Sequence, residues 1–546
     1  MGSLVCMNSS PTDYNYAMEL IRQNRLEESL RILEPLCNAG TAVADVWCWS
    51  GVAQLSTGQL DKAARSLRQA VEMAPANPVA NFALGTLLIR HREWDEALVY
   101  LNRALEEGHV QANVYWSIGI CLVWTQKYHE AIEAFSKGLQ LEPDSASICY
   151  NLASAHDQLH QNPEARHFAL KALEREPQHA RAQILLARLD TQDRQFAASR
   201  RRLEQLVQQE LSPHVALDAA VELAKVMEKQ EDYQAGFQQL VRAKETVWRN
   251  PGPEVAGADN VLEEIGAHHA TVNRERALNW SRSAYEPLPG KLIFLVGFPR
   301  SGTTLTEQIL ESHPGIVATH EVPVLGQLST RISSLVGRAF TYPQELDSLD
   351  KTETETLRRL YWQRITDALP EDAASGKILL DKVPLNIVQL SLIARIFPES
   401  HVLVALRDPR DVCLSCYMQE FSLNSSTVQF LDLRQTGRFY AAVMGLWLHY
   451  RDSLSLPFLQ TRYEDIVDDL EGVSRRLLDF VGVDWHADVT RYYEKARQRC
   501  QRTPSYHAVT QPIYRASIAR WRNYEHELAP IVPLLQPYID EFGYSS

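Results

Sequence analysis

The sequence contains no apolar run of about 18 residues, the length a helix needs to cross a bilayer, so no membrane span is expected. Its first ten residues show no positive stretch followed by an apolar one, and no secretory signal is expected there. They match the myristoylation pattern only in part, because Cys6 stands where Ser or Thr is required. Cysteine is scarce: eight in 546 residues, at 6, 37, 48, 121, 149, 413, 416 and 500, too few for a disulfide scaffold. Cys413 and Cys416 form the one close pair, and no second pair completes a zinc site. They read as packing residues beside a functional loop, and the expected compartment is the reducing cytoplasm. The 24 glycines and 26 prolines are too few for a collagenous or broadly disordered chain. Basic residues are outnumbered, 55 against 68, for a net charge of −13. That argues against a general nucleic-acid binder, which needs clustered positive charge. What is present is an ordinary globular balance, 45% apolar and 23% charged, over a length that fits several domains.

The first half repeats itself. Small residues recur every 34 positions at Ala17, Gly51, Gly85, Gly119, Ala153 and Ala187. Twelve positions after each comes another, at Ser29, Ala63, Ala97, Ala131, Ala165 and Ser199. Nineteen after come Leu36, Ala70, Ala104, Gly138, Ala172 and Leu206, and Pro75, Pro143 and Pro177 close three of the units. Two antiparallel helices approach closely only where side chains are small, and the proline ends the second helix of a unit. This is the pattern of tetratricopeptide repeats, which stack into a solenoid with a concave surface. A seventh, shifted unit is expected over 215–247, with Ala224 and Ala235 out of register. Trp47, Trp49, Tyr115, Trp116 and Trp124 read first as packing residues; the alternative is a groove that holds a peptide or partner protein. Composition breaks at Asn250-Pro251-Gly252-Pro253, and a junction with one helix around 260–270 leads to Pro287-Leu288-Pro289-Gly290.

Past the junction the periodicity changes. Residues 292–296 are wholly apolar, as in a strand buried on both faces. They run into Gly297-Phe298-Pro299-Arg300-Ser301-Gly302-Thr303-Thr304 and then a helical stretch over 305–312. Strand, glycine-bounded loop and helix make an anion cradle, in which loop amides and a helix N-terminus converge. The spacing is that of the triphosphate loop G-x-x-x-x-G-K-[ST], with Thr303 in place of the lysine. Positive charge comes earlier, from Arg300, so ordinary ATP·Mg is not the expected ligand. A second apolar run over 401–406 ends at Arg407-Asp408-Pro409-Arg410-Asp411, and a helix carrying Ser415 follows. A phosphate monoester suits a guanidinium fork with a hydroxyl donor; the alternative is an Arg407–Asp408 ion pair at a strand end.

These residues resemble a family. Pro299-Arg300-Ser301-Gly302-Thr303-Thr304 after a strand is similar to the 5′-phosphosulfate loop of sulfotransferases that use 3′-phosphoadenosine 5′-phosphosulfate (PAPS). Its arginine form resembles tyrosylprotein sulfotransferases and the tetratricopeptide-repeat sulfotransferases of bacteria, over about residues 285–546. The resemblance implies that residues 300–304 hold the 5′-phosphosulfate, that Arg407 and Ser415 bind the 3′-phosphate, and that Tyr463, in Tyr463-Glu464-Asp465, lies against the adenine. Seventeen residues beyond Thr304, Glu321 falls on the family's catalytic glutamate and is expected to be the general base. His320 is its rival, since small-molecule sulfotransferases use histidine. The protein-tyrosine members carry an arginine two residues after this glutamate, where this chain has Pro323, and that departure bears on the acceptor. Lys382, ending an apolar run and followed by Val383-Pro384, matches the family's catalytic lysine and would stabilise the leaving oxygen. In the closing loop, Ser505 would reach the bridging or sulfuryl oxygens, and Arg515 and Arg520 would add charge at the 3′-phosphate.

The expected architecture is α followed by α/β. Residues 1–250 form an all-helical tetratricopeptide solenoid, 251–287 a linker, and 288–546 a P-loop-type sulfotransferase domain. Its central parallel sheet has strands near 292, 378, 401 and 458, with helices on both faces. The expected reaction moves a sulfuryl group from PAPS to an acceptor hydroxyl, on a protein tyrosine or a small molecule, and the groove can dock a partner or a second copy of the chain. No His, Asp or Glu cluster at metal-ligand spacing stands out, so no metal is expected. The competing readings are a P-loop kinase or nucleoside-triphosphatase, and a non-enzymatic scaffold with a decayed second domain.

Overall fold

The computed structural model describes residues 11–39, 43–249, 260–370, 373–497, 509–513 and 515–544. The chain divides into two compact units, Met1–Arg202 and Leu203–Ser546.

In the first unit each 34-residue period is a helix pair, such as Ala44–Ser56 with Leu60–Met73 and Pro78–Arg90 with Trp94–Glu106. The small-residue markers have a direct cause. A Cβ on Gly51 would come 2.6 Å from Leu67 Cγ, and one on Gly85 2.7 Å from Leu101 Cγ, well inside contact distance. Where the later marker is serine, its hydroxyl donates across the pair: Ser29 Oγ to the Ala17 carbonyl at 3.0 Å and Ser199 Oγ to that of Ala187 at 2.7 Å. The turn inside each pair holds one residue in the left-handed region, and these too fall 34 apart: Asn24, Gly58, Arg92, Gln126, His160 and Arg194. Of the aromatics read as packing residues, Trp124 stacks on Trp94 with ring centres 5.0 Å apart yet stays 46% exposed, and Trp116 stays 37% exposed.

The next left-handed turn residue is Glu231, 37 positions after Arg194, so the seventh pair is three residues out of period. That pair, Pro213–Lys229 and Tyr233–Arg249, lies in the second unit. Its apolar face explains why: Phe237 packs on Tyr417 and Tyr524, and Leu217, Leu240 and Val247 share one core with Phe298 and Phe430. The Lys244 ammonium, 2% exposed, donates to the Phe430 carbonyl at 2.8 Å, and Arg520 forms a 2.5 Å ion pair with Glu228. The compact division therefore falls at 202, within the span where the repeat pattern alone continues to 250.

The second unit is built on a five-stranded, wholly parallel sheet in the order β2-β3-β1-β4-β5, comprising β1 (Leu292–Gly297), β2 (Ile316–Ala318), β3 (Ile378–Lys382), β4 (His401–Leu406) and β5 (Phe458–Arg462). Alternate residues of a strand face opposite sides, and each side has its own core. Phe294, Val296, Val402 and Val404 pack into one, Ile293, Leu295, Leu403 and Ala405 into the other. The four strands expected near 292, 378, 401 and 458 are present, the last as the polar and partly exposed Phe-Leu-Gln-Thr-Arg; β2, of three residues, is an addition at the edge. The chain leaves β1 toward β3 and β2 and returns to β4 on the other side. The strand order thus reverses between β1 and β4, and open α/β sheets bind ligands at the carboxyl ends of the strands flanking such a switch point.

Candidate active site

The loop after β1 and the loop after β4 meet at that switch point. Arg407 Nη1 donates to the Arg300 carbonyl at 3.3 Å, and Arg300 Nε donates to Ser415 Oγ at 2.9 Å. Residues more than 100 apart in sequence therefore share one cavity of about 100 Å³. It is lined by Arg300, Gly302, Thr303, Thr304, Arg407 and Tyr463, with Ile513 and Ser517 also in its wall. Gly302 caps the helix Thr303–Glu311 at φ +100°, and a Cβ there would stand 3.0 Å from the Tyr463 ring; only glycine meets both conditions. Arg300 itself has φ +70°, a strained setting for a side chain of this size, of a kind that clusters at functional sites.

Arg407 is 8% exposed. Its guanidinium stacks over Tyr463 at 4.8 Å and donates to the Ser517 carbonyl. Its carboxylate neighbour is Asp411, at 3.8 Å, and not Asp408, which takes two hydrogen bonds from the Arg410 guanidinium, at 2.9 and 2.7 Å, and one from its own helix N-terminus. Among the described residues Arg407 Nε and Ser301 Oγ, both buried, have no hydrogen-bond partner. Buried polar atoms left so at the mouth of a helix N-terminus fit an anionic ligand. Cys416 is buried beside this loop with its Sγ 3.3 Å from the Pro299 carbonyl, and burial pushes its thiol up to about 12. The six described cysteines are all free.

A second cluster stands one strand away. At the end of β3, Lys382 is fully buried; its ammonium pairs with Glu321 and lies 3.2 Å from Glu307 Oε2. Glu321 is 37% exposed on its side chain and faces outward, whereas Glu307 is fully buried. His320 lies between two carboxylates, 3.3 Å from Glu307 and 3.4 Å from Glu311. His320 and Glu321 are both left-handed, at φ +51° and +65°. Behind Lys382, Asp381 accepts from Tyr361 Oη at 2.6 Å, and burial pushes its carboxyl up to about 7.

Burial alone would favour a neutral His320 ring, but Glu307 and Glu311 outweigh it and raise the imidazole to about 9. At neutral pH the ring is an imidazolium without a lone pair to offer, so His320 does not fit the role of base. The sign of the stability effect follows. The group titrates near 6.5 when unfolded, so its contribution is complete below that pH and is lost as pH rises through about 9. The melting temperature is expected to fall between pH 7 and 9.5, and more shallowly in His320→Gln; an equal slope in both proteins excludes this pairing.

Of the residues singled out from the sequence, Arg300, Gly302, Thr303, Thr304, Arg407 and Tyr463 line the cavity, Ser415 is hydrogen-bonded to Arg300, Ser301 is buried in the loop, and His320, Glu321 and Lys382 gather in the second cluster. Arg515 and Arg520 do not line the cavity. Arg515 is exposed and pairs with Asp468 at 2.6 Å, and Arg520 is committed to Glu228. Ser505 lies outside the described residues. Sequence reasoning missed Glu307, Glu311 and Asp381. The signal available for the first two was their i, i+4 spacing on one face of the helix that follows the loop.

An open parallel α/β domain with a glycine-bounded loop at its switch point, joined to a helical repeat array, is the class that fold and site define. More particularly, the chain is similar to tetratricopeptide repeats in its first part and to the sulfotransferase family in its second. Residues 292–487 match the sulfotransferase family, and residues 14–78, 54–117 and 125–189 match tetratricopeptide repeats. An uncharacterized protein of Aquifex aeolicus is 29% identical over 58% of this chain and 40% of its own length. Protein-tyrosine sulfotransferase 1 of Danio rerio is 23% identical over 50% of this chain and 78% of its own. The protein-tyrosine sulfotransferase of Drosophila melanogaster is 25% identical over 45% and 50%. This chain thus spans well under two thirds of the first and third.

Proposed function

We propose that the chain is a PAPS-dependent sulfotransferase whose acceptor is a hydroxyl group, with a protein or peptide tyrosine as the first candidate. The observation that carries this reading is the meeting of Arg300 and Arg407 in one cavity, with Ser415 hydrogen-bonded to Arg300 and with Glu321 and Lys382 paired one strand away. In this reading the amides of residues 300–304 hold the 5′-phosphosulfate and Arg407 with Ser415 the 3′-phosphate. Glu321 takes the proton of the acceptor hydroxyl as its oxygen bonds to sulfur. Lys382 places positive charge at the bridging oxygen as its bond to sulfur breaks and adenosine 3′,5′-bisphosphate leaves. A sulfuryl group carries less charge than a phosphoryl, so positioning and fixed charges suffice. Among the described residues no group of three His, Cys, Asp or Glu could hold a metal ion. The tyrosine acceptor rests on the protein-tyrosine relatives, and the cytoplasmic setting on the free cysteines.

Adenosine 3′,5′-bisphosphate is expected to raise the melting temperature and ATP·Mg to raise it far less; ligand at 100 times its dissociation constant contributes about 2.7 kcal/mol. Equal protection by ATP·Mg would overturn the reading in favour of a kinase or nucleoside-triphosphatase. Arg407→Ala removes a charge-assisted fork worth about 1.5–3 kcal/mol per hydrogen bond, so bisphosphate affinity should drop at least tenfold. An unchanged affinity removes Arg407 from the 3′-phosphate. Labelled donor offered with a tyrosine peptide, 4-nitrophenol and glucosamine identifies the acceptor class.

A further inference from the structure

Glu307 is the one member of the second cluster that touches both cations. It stands in the second turn of the helix Thr303–Glu311, fully buried, with Oε2 3.2 Å from the Lys382 ammonium and Oε1 3.3 Å from His320 Nδ1. A buried carboxylate is costly unless paired, and here one carboxylate is divided between two partners on different segments. One partner ends β3; the other precedes Glu321 in a left-handed stretch of backbone.

We infer that Glu307 is the positioning residue of this centre: it anchors the Lys382 ammonium and, through His320, the segment that presents Glu321. The inference rests on the sulfuryl-transfer reading above. Its logic is a matter of charge. Glu321 and Glu307 share Lys382, but only Glu321 changes charge in the reaction. Once Glu321 has taken the acceptor proton it no longer holds the ammonium, and Lys382 would swing with its four-carbon stem just as the leaving oxygen needs it. Glu307, fully buried beside Lys382, stays in place to hold the ammonium. Glu307 is thus the buried partner of the ammonium, and Glu321 the partly exposed one that meets the acceptor.

The test is a double-mutant cycle on the full chain with Glu307→Gln, Lys382→Met and both together. Turnover is read with labelled PAPS and whichever of the tyrosine peptide, 4-nitrophenol or glucosamine the unaltered protein accepts. Glu307→Gln is expected to lower kcat at least tenfold with bisphosphate affinity kept within about twofold. The double variant should be no slower than Lys382→Met alone, because residues acting as a unit are non-additive. Losses that multiply, or a kcat within about twofold of the unaltered protein in Glu307→Gln, overturn the inference. Urea unfolding of the same four proteins gives a readout independent of activity. Less-than-additive destabilisation supports the coupling, and additive destabilisation refutes it. Should Glu307→Gln not fold, Glu307→Asp keeps the charge but shortens its reach by one methylene; kcat should fall, and an unchanged kcat refutes the role. An unaltered protein that binds no bisphosphate and labels none of the three acceptors sinks the parent reading and this inference together. Turnover with multiplying losses sinks the inference alone.

Discussion

Replacing Glu321 by Gln should lower kcat by about 10²–10⁴-fold, the range a positioned general base supplies, while the protection by adenosine 3′,5′-bisphosphate persists. The separation follows from place. Glu321 lies beyond β2, paired with Lys382 and more than a third exposed, while the cavity that would take the nucleotide is lined by the loops after β1 and β4. Gln keeps the shape and can still accept a hydrogen bond from Lys382, but it cannot take a proton. His320 offers no substitute, because its neighbours hold it at about 9. The measurement is single-turnover transfer of labelled sulfate beside a thermal shift with the bisphosphate. Full activity in Glu321→Gln would remove this residue from its role; loss of the thermal shift would mean that the substitution had disturbed the nucleotide cavity instead.

Lys382→Met should have the broadest effect of any single change, because it acts on both activity and stability. The ammonium is fully buried, with burial opposing its charge and the carboxylates of Glu307 and Glu321 outweighing that to raise its pKa. Removing one partner of a buried pair typically costs about 3–5 kcal/mol, since the remaining charge is left uncompensated. Methionine fills the stem volume, so a cavity contributes little to that figure. Urea midpoints measure the stability loss and the labelled-sulfate assay the loss of turnover. A protein as stable as the original would show that Lys382 is not held as described. Normal turnover would show that no ammonium is needed at the leaving oxygen.

Which of these features could be read from the residues depends on whether their partners are local. The repeat is written in single positions because helix pairs meet at a fixed offset, so Gly51 against Leu67 recurs as Gly85 against Leu101. β1 and β4 are visible because a strand covered on both faces must be apolar throughout; β5 carries Gln460 and Arg462 and is only partly buried, and β2 is too short, at three residues, for any periodicity to show. The two loop motifs are each contiguous in sequence, and Arg300 of one and Arg407 of the other line one cavity. Glu307 was illegible because an acidic residue on a nine-residue helix reads as solvated until β3 and the His320 segment are folded against it. Arg520 misled for the opposite reason: its guanidinium is claimed by Glu228, 292 residues upstream, which no local pattern announces.

The seventh helix pair has a practical corollary for anyone dissecting the chain. A fragment begun at the apparent seam near residue 251 would strip Phe237 from Tyr417 and Tyr524 and take the Lys244 ammonium from the Phe430 carbonyl. The ring of Phe430 leans on Phe298, inside the phosphate loop. Such a truncation would lay bare aromatic surface and loosen the cradle from behind. The second compact unit begins instead at Leu203, inside the helix Phe196–Leu206, so a fragment that keeps its core has to keep the helices Pro213–Lys229 and Tyr233–Arg249 as its rear wall.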